Sequence, residues 1–285
     1  MTHIIRIMSV CLFVIGTINS ELHTIVPTHQ MLFIGKKGVT ASVLQKRFKT
    51  QKPAVYLDFH GVIGIKNISA GVATFKKKEL STGIQKARFI GRALKTAVNP
   101  VAMAKMIKLG LRKNKVTESY LNVIKNHGSK KLHKQAIKLS TEIYEPNAQM
   151  IDLLYRLKAA GCRIYLFSNG GYATMQELKT DLRFKHLFEG PDPLFIENCI
   201  NTSYEDVYNT AKPSPRAFEH ALSFHKESSE DAIFIDDTRE KLCDWRNKII
   251  QEKHPEYNDF WACSLLYHAD NHAGLELTLK KLNIL

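Results

Sequence analysis

Ala54-Val55-Tyr56-Leu57-Asp58-Phe59-His60-Gly61-Val62 is the stretch on which the fold turns. Four consecutive apolar residues read as a strand buried on both faces, and that strand ends on an acid. The pattern recurs further along the chain. Arg163–Phe167 is an apolar strand ending in Ser168-Asn169-Gly170, and Ala232–Ile235 is one ending in Asp236-Asp237. Shorter strands are expected at Leu194–Ile196 and Ala262–Tyr267. Helical patterns separate them at Asn147–Ala160, stopped by Gly161, at Thr174–Phe188 and at Pro215–His225. Strands alternating with helices predict an α/β fold whose parallel sheet is covered on both faces. Such sheets bind ligands at the carboxyl ends of their strands. Here those ends bring Asp58, Ser168 and the Asp236/Asp237 pair together.

Acids at the ends of two buried strands repel each other unless positive charge lies between them. A hard divalent cation meets that need, and Mg²⁺ takes one or two carboxylates together with carbonyls, waters and phosphate oxygens. Ser168 and Lys212, in Ala211-Lys212-Pro213-Ser214-Pro215, could hold the remaining oxygens of a phosphoryl group. This set suits phosphoryl transfer, where positioning and charge stabilisation supply most of the rate. Taken singly, the same residues have plainer readings. Lys212 before Pro213 could be a helix start, and Ser168-Asn169-Gly170-Gly171 a strand-ending turn.

Taken in order, four motifs resemble the haloacid dehalogenase superfamily of phosphatases and related hydrolases. They are Tyr56-Leu57-Asp58-Phe59-His60-Gly61-Val62, Leu166-Phe167-Ser168-Asn169, Lys212-Pro213-Ser214-Pro215 and Phe234-Ile235-Asp236-Asp237. The resemblance implies a Rossmann-like core with helices on both faces and an all-helical cap inserted after the first motif. It divides the chain into a core at 51–65 and 139–285 and a cap at 66–138. It also implies that Asp58 is a nucleophile forming an aspartyl-phosphate with a phosphorylated small-molecule substrate. By the same resemblance Mg²⁺ is held by Asp58, the backbone carbonyl of His60, Asp236 and Asp237. Ser168, Asn169 and Lys212 would bind the phosphoryl oxygens, with Lys212 also neutralising the nucleophile.

Position 60 departs from the family pattern, in which phosphatases carry a second Asp as general acid and base. Histidine can serve both roles, since its ordinary pKa of about 6.5 lies near working pH. Three readings follow: a working phosphatase with His60 as acid/base, a site that binds phosphorylated ligands with little turnover, or chemistry that needs no Asp there. The paired acids Asp236/Asp237 speak for a metal, and so against a metal-free dehalogenase.

The charge is uneven. The chain carries a formal +14, yet residues 66–138 hold 18 Lys+Arg against only Glu79 and Glu118. Ile84, Ala87, Ile90, Leu94, Ala97 and Val101 recur at helical spacing there. Asn99-Pro100 should break that helix, with further helices near Val101–Leu111, Ser119–Lys125 and Lys130–Ser140. So basic a segment fits a lid that steers anionic substrates, an anionic membrane surface, or a solvated lysine face. Nucleic acid is disfavoured, because no recognition motif is present and aromatics are sparse.

At the start, Arg6 precedes an apolar run, Ile7–Ile18, followed by small polar residues to Ser20. That run is short for a bilayer span and suits a signal peptide at 1–20, with a loose leader at 21–50 ending in a basic helix. Export to a periplasm or to the exterior is therefore expected, and a cytoplasmic location if the run is not a signal. Five cysteines in 285 residues exclude a disulfide scaffold, and the lack of a C-x-x-C pair leaves a zinc ribbon or thioredoxin-type site unsupported. On export Cys162, Cys199, Cys243 and Cys263 could pair, while Cys162 and Cys263, at or within apolar strands, read more plainly as buried free thiols. His127, His133, His186 and His220 lack metal-ligand spacing, and Trp245 and Trp261 read as core or rim aromatics. With 44% hydrophobic and 24% charged residues, the chain is globular rather than disordered. Oligomeric state is open at this level.

Overall fold

The structure is a computed structural model that describes residues 31–33, 38–110, 117–170, 172–195, 200–201, 212, 215–238, 242 and 263–285. The apolar N-terminal run, Cys11, Cys199, Cys243, Trp245 and Trp261 lie outside the described residues. The described residues fall into two compact units: those within 67–144 and 172–177, and a larger unit of those within 31–66, 145–170 and 178–285.

The larger unit is built on one sheet. Its strands are β1 (Met31–Phe33), β2 (Ala54–Leu57), β5 (Arg163–Ser168), β6 (Ile200–Asn201), β7 (Ala232–Asp236) and β8 (Ser264–Leu266), in the order β1-β8-β7-β2-β5-β6. From β8 to β6 every neighbouring pair is parallel, and β1 closes the edge antiparallel to β8. This is the expected α/β architecture. Two strand expectations are corrected. The 21–50 stretch is not wholly loose, because Met31–Phe33 completes the sheet edge. Of the strand expected at Leu194–Ile196, Leu194 and Phe195 are buried in a bend and Ile196 lies outside the described residues, while the strand seen in this region is Ile200–Asn201.

Every residue of β2 is buried, as a central parallel strand flanked by helices requires. Beneath the strand ends, Tyr56, Phe167, Phe218 and Phe234 pack ring against ring, with centroids 4.9–6.1 Å apart. Each such ring contributes about 1.5–3 kcal/mol by leaving water. The cluster fixes the three strands whose ends carry the polar residues.

A second, two-stranded sheet joins β3 (Gly64–Lys66) and β4 (Tyr144–Pro146). Between them in sequence run α2 (Ile68–Glu79), α3 (Gly83–Ala97), α4 (Pro100–Gly110), α5 (Thr117–His127) and α6 (Lys130–Glu142). The break at Asn99-Pro100 is as expected, and Ile68–Glu79 is a helix the periodicity did not single out. Thr82 opens α3 with a reciprocal capping box to Gln85, and Ser129 caps α6 through the Leu132 amide. No helix among the described residues is long and apolar enough to cross a membrane.

The larger unit also holds α1 (Ala41–Thr50), α7 (Ala148–Ala159), α9 (Pro215–His225) and α10 (His272–Lys281), while α8 (Tyr172–Thr180) begins among the residues of the smaller unit and ends among those of the larger. The helix expected over Thr174–Phe188 stops at Thr180. Asp181 then folds back on Arg183, accepting from its backbone N–H at 2.9 Å and pairing with its guanidinium. A short 3₁₀ turn at Lys185–Leu187 follows. Cys162 and Cys263 are buried free thiols as expected, and burial pushes the Cys162 thiol up to about 11.

Candidate active site

Strand register assembles the site. Leu57 stands level with Leu166 on one side and Ile235 on the other, so the next residues, Asp58 and Asp236, leave adjacent strand ends together. The Asp58 amide donates to Ile235 O at 3.0 Å, which extends the ladder one step and holds Asp58 against the β7 end. Ser168 is the last residue of β5. Each of these polar side chains is buried.

Asp58, Asp236 and Asp237 each offer a carboxylate oxygen within 4.8 Å of the others. Lys212 is buried beside them, its Nζ 2.6 Å from Asp236 Oδ2 and 3.4 Å from Asp58 Oδ1. The Phe167 ring lies under that ammonium, 5.1 Å from its centroid. Asn169 fixes the lysine from the backbone. Its Oδ1 accepts from Lys212 N and its Nδ2 donates to Lys212 O, both at 2.9 Å. Its carboxamide therefore faces the main chain of Lys212 at both ends.

Residues 59–64 form a tight turn after Asp58. The amides of Ile63 and Gly64 both donate to Phe59 O, at 3.0 and 2.8 Å, and the Gly61 amide donates to Gly64 O at 2.9 Å. Gly61 has φ +80°, a left-handed conformation that suits glycine, and a Cβ there would meet the Asp237 carboxylate. The turn leaves the His60 ring half-buried, with Nδ1 3.5 Å from Ser168 Oγ. Ser168 Oγ also accepts from the Gly170 amide at 3.2 Å.

All the expected site residues thus gather at one end of the sheet. The sequence reading missed two supports. Thr238 donates its amide to Asp236 Oδ1 at 2.9 Å and its hydroxyl to Asp237 Oδ1 at 3.0 Å. Asn147 donates Nδ2 to Val62 O at 2.9 Å and to the Tyr267 hydroxyl at 2.8 Å, pinning the turn from below. The sequence signal for the first was the Asp-Asp-Thr run. The second spans 85 residues in sequence, and no local pattern marks it.

Three carboxylates against one ammonium leave a local deficit of two positive charges, and the donors are all oxygen. Both facts suit a hard divalent cation. The carboxylates could hold such a metal.

Against known protein families, residues 55–240 match the model of the haloacid dehalogenase-like hydrolases. The chain belongs to this family. The match runs from within β2 through the end of β7, so it takes in the Asp58, Ser168, Lys212 and Asp236/Asp237 positions. A comparison with curated proteins found no match. Among solved structures, the HAD-family enzyme BT-2542 of Bacteroides thetaiotaomicron in its magnesium complex is 17% identical. Its alignment covers 76% of this chain and 94% of that one, at a TM-score of 0.44. The haloacid dehalogenase-like hydrolase SP0104 of Streptococcus pneumoniae is 22% identical, with 67% and 79% covered and a TM-score of 0.37.

Proposed function

We propose that this haloacid dehalogenase-like hydrolase cleaves a phosphate monoester with Asp58 as nucleophile and Mg²⁺ as cofactor. The observation that carries the reading is the buried convergence of Asp58, Asp236, Asp237 and Lys212 at the strand ends. An Asp58 carboxylate oxygen attacks phosphorus as the bond to the leaving oxygen breaks, giving an aspartyl-phosphate and an alcohol. His60 gives the leaving oxygen its proton. In the second half, His60 takes a proton from the water that attacks phosphorus, and free phosphate departs with Asp58 restored.

Lys212 balances the charge of Asp58 and of the transferring group. Asn169 and Phe167 hold it in position, and Ser168 donates to a phosphoryl oxygen. Asp58, the His60 carbonyl, Asp236 and Asp237 would hold Mg²⁺, which when bound supplies charge neutralisation at the phosphoryl oxygens. Thr238 orients both aspartates for that role.

The test is hydrolysis of an aryl phosphate by the full chain, with and without Mg²⁺, beside Asp58→Asn. Metal-dependent turnover that Asp58→Asn abolishes supports the reading. Phosphate and Mg²⁺ binding without turnover on a panel of alkyl and aryl phosphates would favour a ligand-binding domain, the alternative that His60 keeps open. Export belongs to the same proposal and rests on the Ile7–Ile18 run. The intact mass of the protein recovered outside the cytoplasm tests for cleavage near Ser20.

A further inference from the structure

A surface helix of a globular protein ordinarily turns its large apolar residues inward and its polar ones out. In α3 and α4 that sorting is incomplete. Among the described side chains only Ala93, Thr96 and Ala102 are buried, and Phe89, Ile90, Leu94 and Met106 are half-buried. Ile84, Val101, Met103 and Ile107, with Val98 at the end of α3, stand exposed, Val98 at 73% and Ile107 at 57%. They make up half of all the exposed large apolar side chains among the described residues. On α3 the solvent stripe runs Ile84, Arg88, Gly91, Lys95 and Val98, at steps of three and four. On α4 the exposed residues are Pro100, Val101, Met103, Ala104, Lys105, Ile107 and Lys108.

The charge on this face has one sign. Residues 83–110 contain no acid, and Lys86, Arg88, Lys95, Lys105 and Lys108 are all exposed. Lys105 reaches His127 at 3.3 Å and Arg92 reaches the Gln135 carbonyl, so neither meets a carboxylate in these contacts. The nearby acids Glu79 and Glu142 are engaged elsewhere, with Lys138 and Lys78.

We propose that the outer face of α3 and α4 seats on an anionic bilayer surface. Aliphatic side chains would enter the headgroup–acyl boundary, while lysine stems lie along it and their ammonium groups reach lipid phosphates. Other occupants fit less well. A second copy would bring the same basic face against itself and be repelled. A nucleic acid would engage the lysines but leave the aliphatics in water. Among the described residues of α3 and α4 it would also find no exposed aromatic for stacking, since Phe89 is half-buried with its ring 5.9 Å from that of Phe75. The inference is independent of the phosphatase chemistry, whose residues all lie in the other unit.

The experiment is sedimentation of the full chain with vesicles of phosphatidylcholine alone or mixed with phosphatidylglycerol. Two variants accompany it: Met103→Gln with Ile107→Gln, which leaves charge untouched, and Lys105→Gln with Lys108→Gln. Binding to the anionic vesicles should be about tenfold or more tighter than to neutral ones and should weaken with added salt. Each variant, its helical circular dichroism unchanged, should lose about tenfold in affinity. Four results would overturn the proposal. They are no binding at low ionic strength, equal binding to both lipids, an apolar variant that binds like the parent, and binding that survives both variants, which would assign attachment to the Ile7–Ile18 run. Concentration-dependent self-association abolished by the Met103/Ile107 substitutions would likewise replace the bilayer with a second copy.

Discussion

A Cβ placed on Gly61 would stand 1.9 Å from Oδ2 of Asp237. The turn after Asp58 and the acid after β7 are thus in direct steric register, with no room for a methyl group between them. Gly61→Ala must move Asp237, and it also strains a backbone at φ +80°. It should weaken Mg²⁺ affinity, read as a rightward shift in the Mg²⁺ dependence of aryl-phosphate hydrolysis, by about tenfold or more. An unshifted metal dependence would detach Asp237 from the metal.

Lys212→Met removes the ammonium that lies between two buried carboxylates. Breaking a buried pair from one side costs about 3–5 kcal/mol, because the remaining charge is left uncompensated. Thermal unfolding without metal should fall accordingly. Added Mg²⁺ should raise the melting temperature of the variant more than that of the parent, since it restores the missing positive charge. Equal metal stabilisation of both proteins would contradict the charge accounting.

If His60 protonates the leaving group, its loss should depend on how much protonation the leaving group needs. His60→Asn should lower kcat for an alkyl phosphate by about a hundredfold. For an aryl phosphate, whose phenolate leaves unaided, the loss should be much smaller. Equal losses on the two substrates would assign His60 to binding.

Asn147→Leu should destabilise the protein by about 3 kcal/mol in urea unfolding. It removes the cap on the Met150 amide and the bonds to Val62 O and the Tyr267 hydroxyl, all in the interior. A midpoint within error of the parent would show that water replaces the amide.

Near the C-terminus, burial holds the His268 and His272 imidazoles below the usual histidine range, though Asp270 and Glu276 partly oppose the shift. The folded state therefore disfavours their charged forms. The unfolded chain takes up the protons first as pH falls below about 6.5, so stability is full above that pH and declines below it. Melting temperature should drop between pH 7 and pH 5, and His268→Gln with His272→Gln should flatten that slope.

Much of the site was legible because buried parallel strands announce themselves. Ala54–Leu57 and Ala232–Ile235 are continuous apolar runs, and each is followed at once by acids, a conjunction that burial alone would not select. Elements whose signal is not hydrophobic period escaped notice. Met31–Phe33 is only three residues long and pairs antiparallel with β8 at the sheet edge. In α2, Gly71 is buried where a Cβ would meet Ile143 backbone at 2.4 Å, so close packing replaces an apolar stripe. The helix expected through Phe188 carries apolar residues at plausible spacing, and the Asp181–Arg183 turn overrides them. The apolar period of α3 and α4 did report helices, but it could not say which face turned outward.

The pairing of Gly64–Lys66 with Tyr144–Pro146 has a consequence for how this chain can change. The segment between them departs and returns through neighbouring strands, so to the core it is one closed excursion. Closing such an excursion depends only logarithmically on its length, and doubling it costs about 0.6 kcal/mol. The five helices can therefore be lengthened, shortened or exchanged for a different module while the ladder that aligns Asp58 with Asp236 keeps its register. Divergence is free to proceed in one segment of the chain and is held in check in the other.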